Sequence, residues 1–179
     1  IENSIVWNND PVNIRFDEWG DSKAITVSYS SIGEGLDGIE DSDNGVVNWL
    51  NGNITNDPRF VDDSQAIFSL LASSQCINAG HPDSIDSDGS RADMGAFPFL
   101  NEYSGPDWHV SVDGDNISGT GELANPFASI QAGINFASSS DSVLVGPGTY
   151  YDNLDFRGRA ITVRGSEGSQ NTIVDGNGL

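Results

Sequence analysis

The feature that most constrains the fold is a pair of β-branched runs in the second half of the chain that repeat at one common spacing. VLV at 143–145 is matched by ITV at 161–163, 18 residues later, and LDF at 154–156 is matched by TIV at 172–174 at the same spacing. Two interleaved strand series that share a period indicate a chain that winds back onto itself once per turn. Each turn then buries its apolar side chains against the next one. The pattern predicts an all-β β-solenoid whose coils stack about 4.8 Å apart, with these core residues: Val143, Val145, Ile161, Val163 and Ile173.

The first half of the chain also contains strand-like segments that repeat, but at a less regular spacing. NSIVWNN at 3–9 is followed by AITVSYSSI at 24–32, which pairs Ile5 with Ile25 at a spacing of 20, and VNIRF at 12–16 offers a further strand. The alternative is an antiparallel sandwich, because Asn-Gly pairs at 44–45 and 51–52 are hairpin signals. Strict alternation of apolar and polar residues, which a sandwich requires, is sparse. We therefore favour the solenoid.

One segment is predicted to be helical. NPFASIQAGINFAS at 125–138 places Phe127, Ile130, Ile134 and Ala137 on a single apolar stripe. Asn125 and Pro126 suit the N-cap and the first turn of a helix over 127–137. A short amphipathic helix just before a solenoid strand is expected to lie over the open end of the core and to shield its strand edges.

The charge of the chain limits its partners. Its 179 residues include 27 acidic and 7 basic ones, a net charge of −20. Nucleic acids and anionic membrane surfaces need basic patches, and no apolar run is long enough to span a membrane. We therefore expect neither as a partner, whereas calcium suits an acidic chain. The single Cys76 rules out an intrachain disulfide, and its small and apolar neighbours predict a buried thiol.

The segment from residue 108 onward resembles the start of secreted right-handed parallel β-helix proteins of the pectate-lyase-like group. The resemblance is carried by DWHVSVDGDNISGTG at 107–121, PFASIQ at 126–131 and VLVGPGTY at 143–150. In that family a strand with an Asp/Gly-rich loop leads into a capping helix and the first coils. The resemblance implies a bacterial protein that is secreted, extracellular or attached to the cell surface.

The first half resembles the opposite end of the same family. NSIVWNN and ITVSYSSI are similar to last coils, and NITNDPRFVD, FSLLASSQCINAG and DSDGSRADMGAFPF are similar to a closing segment. The order is therefore inverted, with the end of one β-helix before the start of another. The predicted organisation is last coils and closing segment at 1–99, a linker LNEYSGPD at 100–107, and a cap with first coils at 108–179.

The acidic stretch DSDGSRADMGAF at 86–97 is a candidate calcium loop. It fails as an EF-hand because aligning Gly89 to the sixth loop position leaves Ser84 and Gly95 where the first and last ligands belong. Asp86, Asp88 and Asp93 remain candidate ligands for calcium in a loop of another kind. The alternative, which we favour, is a rigid closing loop in which Arg91 bridges a carboxylate and these residues plug the core: Met94, Ala96, Phe97 and Phe99.

A second candidate calcium site lies in VDGDNISGTG at 112–121. It would use Asp113 and Asp115, whose carboxylates are hard oxygen ligands of the kind that calcium prefers.

Catalysis is the weaker hypothesis. The resemblance implies that a lyase would use an arginine or lysine base beside calcium, on a groove across the middle coils. The only lysine is Lys23, the arginines Arg157, Arg159 and Arg164 fall on first coils, and this chain carries terminal coils alone. The many carboxylates do not single out the acid pair of a glycosidase. We therefore assign no catalytic residue.

The predicted function is a non-catalytic extracellular structural or adhesive module. The alternative is a fragment of a secreted polysaccharide lyase or glycoside hydrolase whose active-site coils lie elsewhere. As partners we expect further copies, with residues 108–179 of one copy stacked head to tail on residues 1–99 of the next, which would build a filament. The alternative is that the chain is a fragment of a longer tandem protein. Polysaccharide is a second candidate partner, through stacking on these aromatic residues: Trp7, Trp19, Trp49, Tyr150 and Tyr151.

Overall fold

The computed structural model describes residues 1–41 and 45–176. It forms two compact units, which are described separately below. The first unit comprises Ile1–Ser69 and Gln75–Pro98, and the second comprises Leu70–Ser74 and Phe99–Leu179. Asn44 of the first Asn-Gly pair and the last three residues of the predicted 108–179 segment lie outside the described residues. The predicted boundaries at 100–107 stay a prediction.

The first unit is built from short strands in parallel ladders. β1 pairs with β4, β2 with β5, and β3 with β6, all in parallel, and β7 pairs with β8 across a single 3-10 turn. A chain that pairs each strand in parallel with the one three strands later is a solenoid with three strands per coil. The strands are β1 (Ile5–Val6), β2 (Ile14–Arg15), β3 (Lys23–Val27), β4 (Ser31–Ile32), β5 (Ile39–Glu40), β6 (Gly45–Trp49), β7 (Phe60–Asp62) and β8 (Ile67–Leu70).

The register of the first unit differs from the one predicted. Ile5 lies opposite Ser31, and Ile25 lies opposite Val47. The prediction that Ile5 pairs with Ile25 was wrong because both residues belong to the same coil. VNIRF does supply the predicted extra strand, as β2. The inward side chains form one core around these buried residues: Phe16, Val27, Ile32 and Ile39.

The second unit is also a parallel solenoid. β10 lies between β9 and β12 in one ladder, and β11 pairs with β13 in another. Its elements are β9 (Asp107–Val110), α1 (Ile130–Phe136), β10 (Ser142–Val145), β11 (Gly148–Tyr150), β12 (Thr162–Gly165) and β13 (Thr172–Val174). Both units therefore confirm the predicted β-solenoid with one short helix, and the parallel ladders exclude the sandwich.

The repeat spacing in the second unit needs correction. Val143 lies opposite Val163, so the spacing is 20 residues rather than 18. The prediction of which side chains point into the core is still correct, because a shift of two residues leaves every side chain on the same side of a strand. The run at 154–156 forms no strand, and Gly148–Tyr150 is the segment that pairs with β13.

Burial in the second unit decreases along the ladders. Val143 and Val145 are fully buried as predicted, whereas Ile161 and Val163 are only half-buried and Ile173 is 56% exposed. The prediction that all five would be buried was wrong for the later three. Within the described residues, β12 has a neighbouring strand on one side only, which leaves Val163 without a covering coil. Ile173 is exposed for another reason, because it lies opposite the exposed Thr149 on the outer face of the ladder.

Helix α1 begins later than predicted. Ser129 is its N-cap, and the Ser129 hydroxyl accepts a hydrogen bond from the Ala132 N–H. Asn125 and Pro126 lie outside the helix because Phe127 is paired instead with the end of β9, donating its N–H to His109 and accepting from Ser111. The apolar side chains of the helix nevertheless join the core, as expected of a cap.

Side chains of the following segment hold the helix at both ends. The Asp152 carboxylate accepts a hydrogen bond from the Ile130 N–H, and Arg159 Nη1 donates to the Ile134 and Ala137 carbonyls. The Gln131 side-chain amide pairs with both the N–H and the C=O of Asp155, at 2.8 and 3.1 Å. Asp155, in the run at 154–156 that was predicted to be a strand, is thus hydrogen-bonded to the helix instead.

Candidate interaction surface

A cleft along β1 in the first unit has a volume of about 550 Å³. Ile5 and Val6 both line it, although neighbouring side chains of a strand point to opposite faces. Both residues belong to β1, so the cleft borders the length of this short strand. Its wall is formed by residues on β1, the β7–β8 hairpin and the end of the closing segment: Asn3, Ser4, Ile5, Val6, Trp7, Asn9, Phe60, Phe68, Gly95, Ala96 and Phe97.

The backbone of β1 is open towards this cleft. The Ser4 and Val6 carbonyls accept hydrogen bonds from the other side, from Ser31 and Gly33 of the β4 segment. Because successive residues of a strand direct their backbone groups to alternate sides, the Ile5 N–H and C=O point away from β4. Within residues 1–41 and 45–176, neither of these two groups has a hydrogen-bond partner.

The lining of the cleft is aromatic and uncharged. Phe60 and Phe68 meet edge to face with their ring centroids 5.3 Å apart, and Phe68 and Phe97 are about half exposed. No lining residue is ionisable, in a chain with 27 acidic side chains. An apolar cleft of this size with a few amide and hydroxyl groups is typical of a binding site.

The closing segment is hydrogen-bonded to the first residues of the first unit. The Gly95 N–H donates to the Asn3 carbonyl at 2.9 Å, and the His81 N–H donates to Asn3 Oδ1 at 2.6 Å. Gly95 has a φ of +105°, and a side chain there would meet Ile5 Cδ1 at 2.9 Å. Glycine is therefore required where the segment passes the cleft.

The predicted plug of the core is only partly present. Met94 is fully buried, and so is Cys76, as predicted. Ala96 and Phe97 are exposed at the cleft instead. Phe99 belongs to the second unit, where it packs on Phe136 with a centroid distance of 5.4 Å. The plug interpretation was wrong for these three residues.

Arg91 also differs from its expected role. Its guanidinium donates to the Gly80 and Ala79 carbonyls rather than to a carboxylate, and lies 5.8 Å from the centre of the Tyr29 ring. Arg91 therefore fixes the backbone at residues 79 and 80 through their carbonyl oxygens.

The candidate calcium ligands of the closing segment are close in the fold. The Asp86 carboxylate accepts from the Asp93 N–H at 2.9 Å, and Asp93 in turn accepts from the Asn78 N–H at 2.7 Å. Asp88 accepts from both the N–H and the hydroxyl of Ser90. Burial, aided by the negative charge of Asp88, raises the pKa of Asp86 despite the hydrogen bond from Asp93.

The second pair of candidate ligands lies in an exposed loop. The Asp115 carboxylate accepts hydrogen bonds from the Ser118 hydroxyl and the Ile117 N–H, and these bonds lower its pKa. Asp113 is exposed nearby. In the part of the chain that the structure describes, no three His, Cys, Asp or Glu side chains are grouped so as to hold a metal ion. Calcium binding stays a prediction.

Two of the basic residues considered for catalysis donate hydrogen bonds to backbone carbonyls. Lys23 Nζ donates to the carbonyls of Trp19 and Asp17 at 2.7 and 3.1 Å, within one loop. Arg159 is engaged with the helix carbonyls described above, while Arg164 is exposed on β12. The lyase alternative gains no support from these positions.

The candidate sugar-stacking residues differ in how far their side chains are exposed to solvent. Trp19 and Tyr151 are 79% and 61% exposed, Tyr150 is buried, and Trp49 packs beside the first core. Trp7 is half-buried in the wall of the cleft. The sequence analysis did not predict the cleft. The feature that could have indicated it is the pair of phenylalanines at 60 and 68, which lie beside the first strand of the repeat.

Comparisons with known proteins add no relative. Neither family models, nor curated proteins, nor solved structures gave a match to this chain. None of the helices in the described residues has the length and apolar character needed to cross a membrane.

Proposed function

We propose that the chain is a non-catalytic structural module of a secreted bacterial β-helix protein, of the pectate-lyase-like kind, that associates head to tail with other copies of itself. The observation that supports this most directly is that β12 and β13 each have a neighbouring strand on one side only within residues 45–176. Their backbone groups at Val163, Gly165, Thr172 and Val174 face away from the neighbouring strands. An edge of this kind is a template for a further parallel strand.

The side chains at this edge favour the addition of another coil. Val143 is buried beneath Val163, which is half-buried, and Ile173 and Val174 are 56% and 48% exposed. A coil stacked on this edge would remove the apolar surface of the inward-facing Val163 and Val174 from water, at about 25 cal/mol for each Å² buried. It would also supply partners for the open backbone groups.

The charge distribution also favours association at the edge formed by β12 and β13. Copies with a net charge of −20 repel one another, so they associate best where one surface is neutral or basic. β13 carries no charged residue, and three of the seven basic residues lie in the coil before it: Arg157, Arg159 and Arg164. Extracellular adhesion follows as a secondary role, because Trp19 and Tyr151 are exposed enough to stack on sugar rings.

Sedimentation velocity over a concentration series tests the proposal. We expect species larger than the monomer to increase with concentration and to dissociate on dilution. Added salt should strengthen the association, because it screens the repulsion between copies within a Debye length of about 8 Å at 0.15 M. A single monomeric species at every concentration and ionic strength would contradict head-to-tail association.

A further inference from the structure

The Asn-Gly pair at 51–52 lies at a corner of the solenoid in the first unit. It follows β6, and soon after it Ile54 pairs in parallel with Ser31, so the pair turns the chain between two ladders instead of closing a hairpin. Gly52 has a φ of +81°, which glycine adopts without strain. We propose that Asn51 is a site of spontaneous deamidation, in which the backbone nitrogen of Gly52 displaces the side-chain amide. The inference goes beyond the proposed association and does not depend on it.

Both reacting groups are accessible. Asn51 and Gly52 are exposed to solvent. Among residues 1–41 and 45–176, neither the Asn51 side-chain amide nor the Gly52 N–H has a hydrogen-bond partner. Asn53, two residues later, is the opposite case, because its amide donates to the Val27 carbonyl at 2.9 Å and accepts from the Ser30 N–H at 3.1 Å. The described fold therefore holds the amide of Asn53 in place but leaves that of Asn51 free to approach the Gly52 nitrogen.

The reaction is a cyclisation followed by hydrolysis. The deprotonated Gly52 nitrogen attacks Cγ of Asn51, the Cγ–Nδ2 bond breaks, and the departing nitrogen takes up a proton from solvent and leaves as ammonia. Glycine favours this step because it has no side chain to crowd the attacking nitrogen, and asparagine is among the thermolabile residues of proteins. Water then opens the five-membered imide at either carbonyl. One opening leaves aspartate, and the other leaves isoaspartate, in which the main chain runs through Cβ and Cγ.

Two Asp-Gly pairs provide an internal comparison, because aspartate before glycine forms the same imide with loss of water. The Gly89 N–H and the Gly114 N–H both donate hydrogen bonds to backbone carbonyls, at 3.0 and 2.9 Å. A nitrogen held in this way can attack only after the bond has opened locally. We therefore expect the fold to slow imide formation at 88–89 and 113–114, but not at 51–52.

The two products would affect the corner differently. The Asn51 carbonyl accepts a hydrogen bond from the Tyr29 N–H at 3.2 Å, and the preceding Leu50 N–H donates to the Val27 carbonyl at 2.9 Å. Isoaspartate turns that Asn51 carbonyl into a free carboxylate and lengthens the main chain by one carbon, about 1.5 Å. The backbone hydrogen bonds on the two sides of residue 51 then no longer fit one register. Aspartate adds a negative charge but keeps the length of the chain, so we expect only isoaspartate to destabilise the coil.

Peptide mapping by mass spectrometry tests the assignment. The parent protein is incubated at mildly alkaline pH, once folded and once unfolded in guanidinium chloride, and the formation of aspartate and isoaspartate is followed at each site. We expect Asn51 to react in the folded protein at nearly its rate in the unfolded chain. The pairs at 88–89 and 113–114 should react roughly tenfold more slowly when folded, because a hydrogen bond must first be broken. The rate at Asn51 should also rise with pH, since the deprotonated nitrogen is the nucleophile.

Two variants of the same residue serve as matched controls. Asn51→Gln would need a less favourable six-membered imide, so it should stay unmodified at residue 51 and keep its melting temperature during an incubation in which that of the parent falls. Asn51→Asp, measured before incubation, should melt like the fresh parent because it carries the added charge without the added carbon. Replacing Gly52 is not a suitable control, since a side chain there would clash with the Tyr29 ring.

Two results would overturn the inference. One is a rate at Asn51 that falls on folding as much as the rates at the two Asp-Gly pairs, which would mean that the fold protects this site as well. The other is an equal loss of melting temperature in the incubated parent and the incubated Asn51→Gln protein, which would mean that modification of Asn51 does not weaken the coil.

Discussion

The Asp152 carboxylate accepts a hydrogen bond from the backbone N–H of Ile130 at 2.8 Å, which ties the first turn of α1 to a residue 22 positions later in the chain. Both residues are buried. The helix has only seven residues, Ile130–Phe136, and isolated helices of that length are not stable in water. Its stability therefore depends on contacts with the coil that follows.

The first prediction concerns this bond. Asp152→Ala should lower the free energy of unfolding by about 1–3 kcal/mol, because it leaves a buried N–H without its acceptor. Asp152→Asn, which keeps an acceptor oxygen, should lose less. Urea unfolding followed by circular dichroism measures both. An alanine variant as stable as the parent protein would show that the helix does not need this cap.

The second prediction concerns the other end of the helix. Arg159 Nη1 donates to three backbone carbonyls, those of Ile134, Asn135 and Ala137, at 2.7 to 2.9 Å. Arg159→Ala should cost about 1.5–3 kcal/mol, the range for hydrogen bonds that involve a charged group. Arg164→Ala, on the exposed face of β12, is the matched control and should stay within about 0.5 kcal/mol of the parent. Equal losses in the two variants would mean that charge, rather than the contact with the helix, is what matters.

The third prediction follows from the decrease in burial along the second unit. Val143→Asp should unfold that unit, since a fully buried carboxylate without a partner costs several kcal/mol. Val163→Asp, one coil later and half-buried, should be tolerated better. Thermal unfolding of the two variants ranks them. A folded Val143→Asp protein, or the reverse order, would contradict the core described here.

The fourth prediction uses the raised pKa of Asp86. Its folded-state pKa lies above the ordinary 3.8, so the folded state holds that proton more tightly than the unfolded chain. The ionised carboxylate therefore reduces stability at neutral pH, and this effect disappears as the pH falls below about 3.8. In chelator, Asp86→Asn should melt higher than the parent at pH 7, with no difference at low pH, while the exposed Glu18→Gln should change little. An Asn variant that melts lower at pH 7 without calcium would contradict this.

Calcium gives the fifth prediction. If Asp86, Asp88 and Asp93 hold the ion, calcium should raise the melting temperature and EDTA should reverse the rise, because a ligand that binds only the folded state stabilises it. Asp88→Ala should abolish the response, whereas Asp115→Ala should preserve it. The reverse pattern would place the ion in the 112–121 loop, and no response in the parent protein would exclude both loops.

The sequence predicted the architecture better than the register. β-branched runs mark where strands occur, and the faces of Val143 and Val163 were correct because the error in spacing was two residues. The run at 154–156 was wrongly predicted to be a strand because its apolar pattern suits one, whereas the backbone of Asp155 is hydrogen-bonded to the Gln131 side chain of the helix. Asn125 was a good N-cap by type, but the pairing of Phe127 with β9 delayed the helix to Ser129.

The cleft could not be predicted from the local sequence pattern. Its walls bring Ile5 together with Phe68 and Phe97, which are distant in sequence, and its access to backbone groups depends on which of them β4 leaves unpaired. A periodic pattern of apolar residues contains no information about such long-range contacts.

Negative-stain electron microscopy over a concentration series tests head-to-tail assembly most directly. A heterologous contact that repeats on every copy builds a filament unless it closes as a ring. We therefore expect filaments or rings that become more abundant as the protein concentration rises and that dissociate on dilution. Single particles of monomer size at every concentration would contradict the assembly.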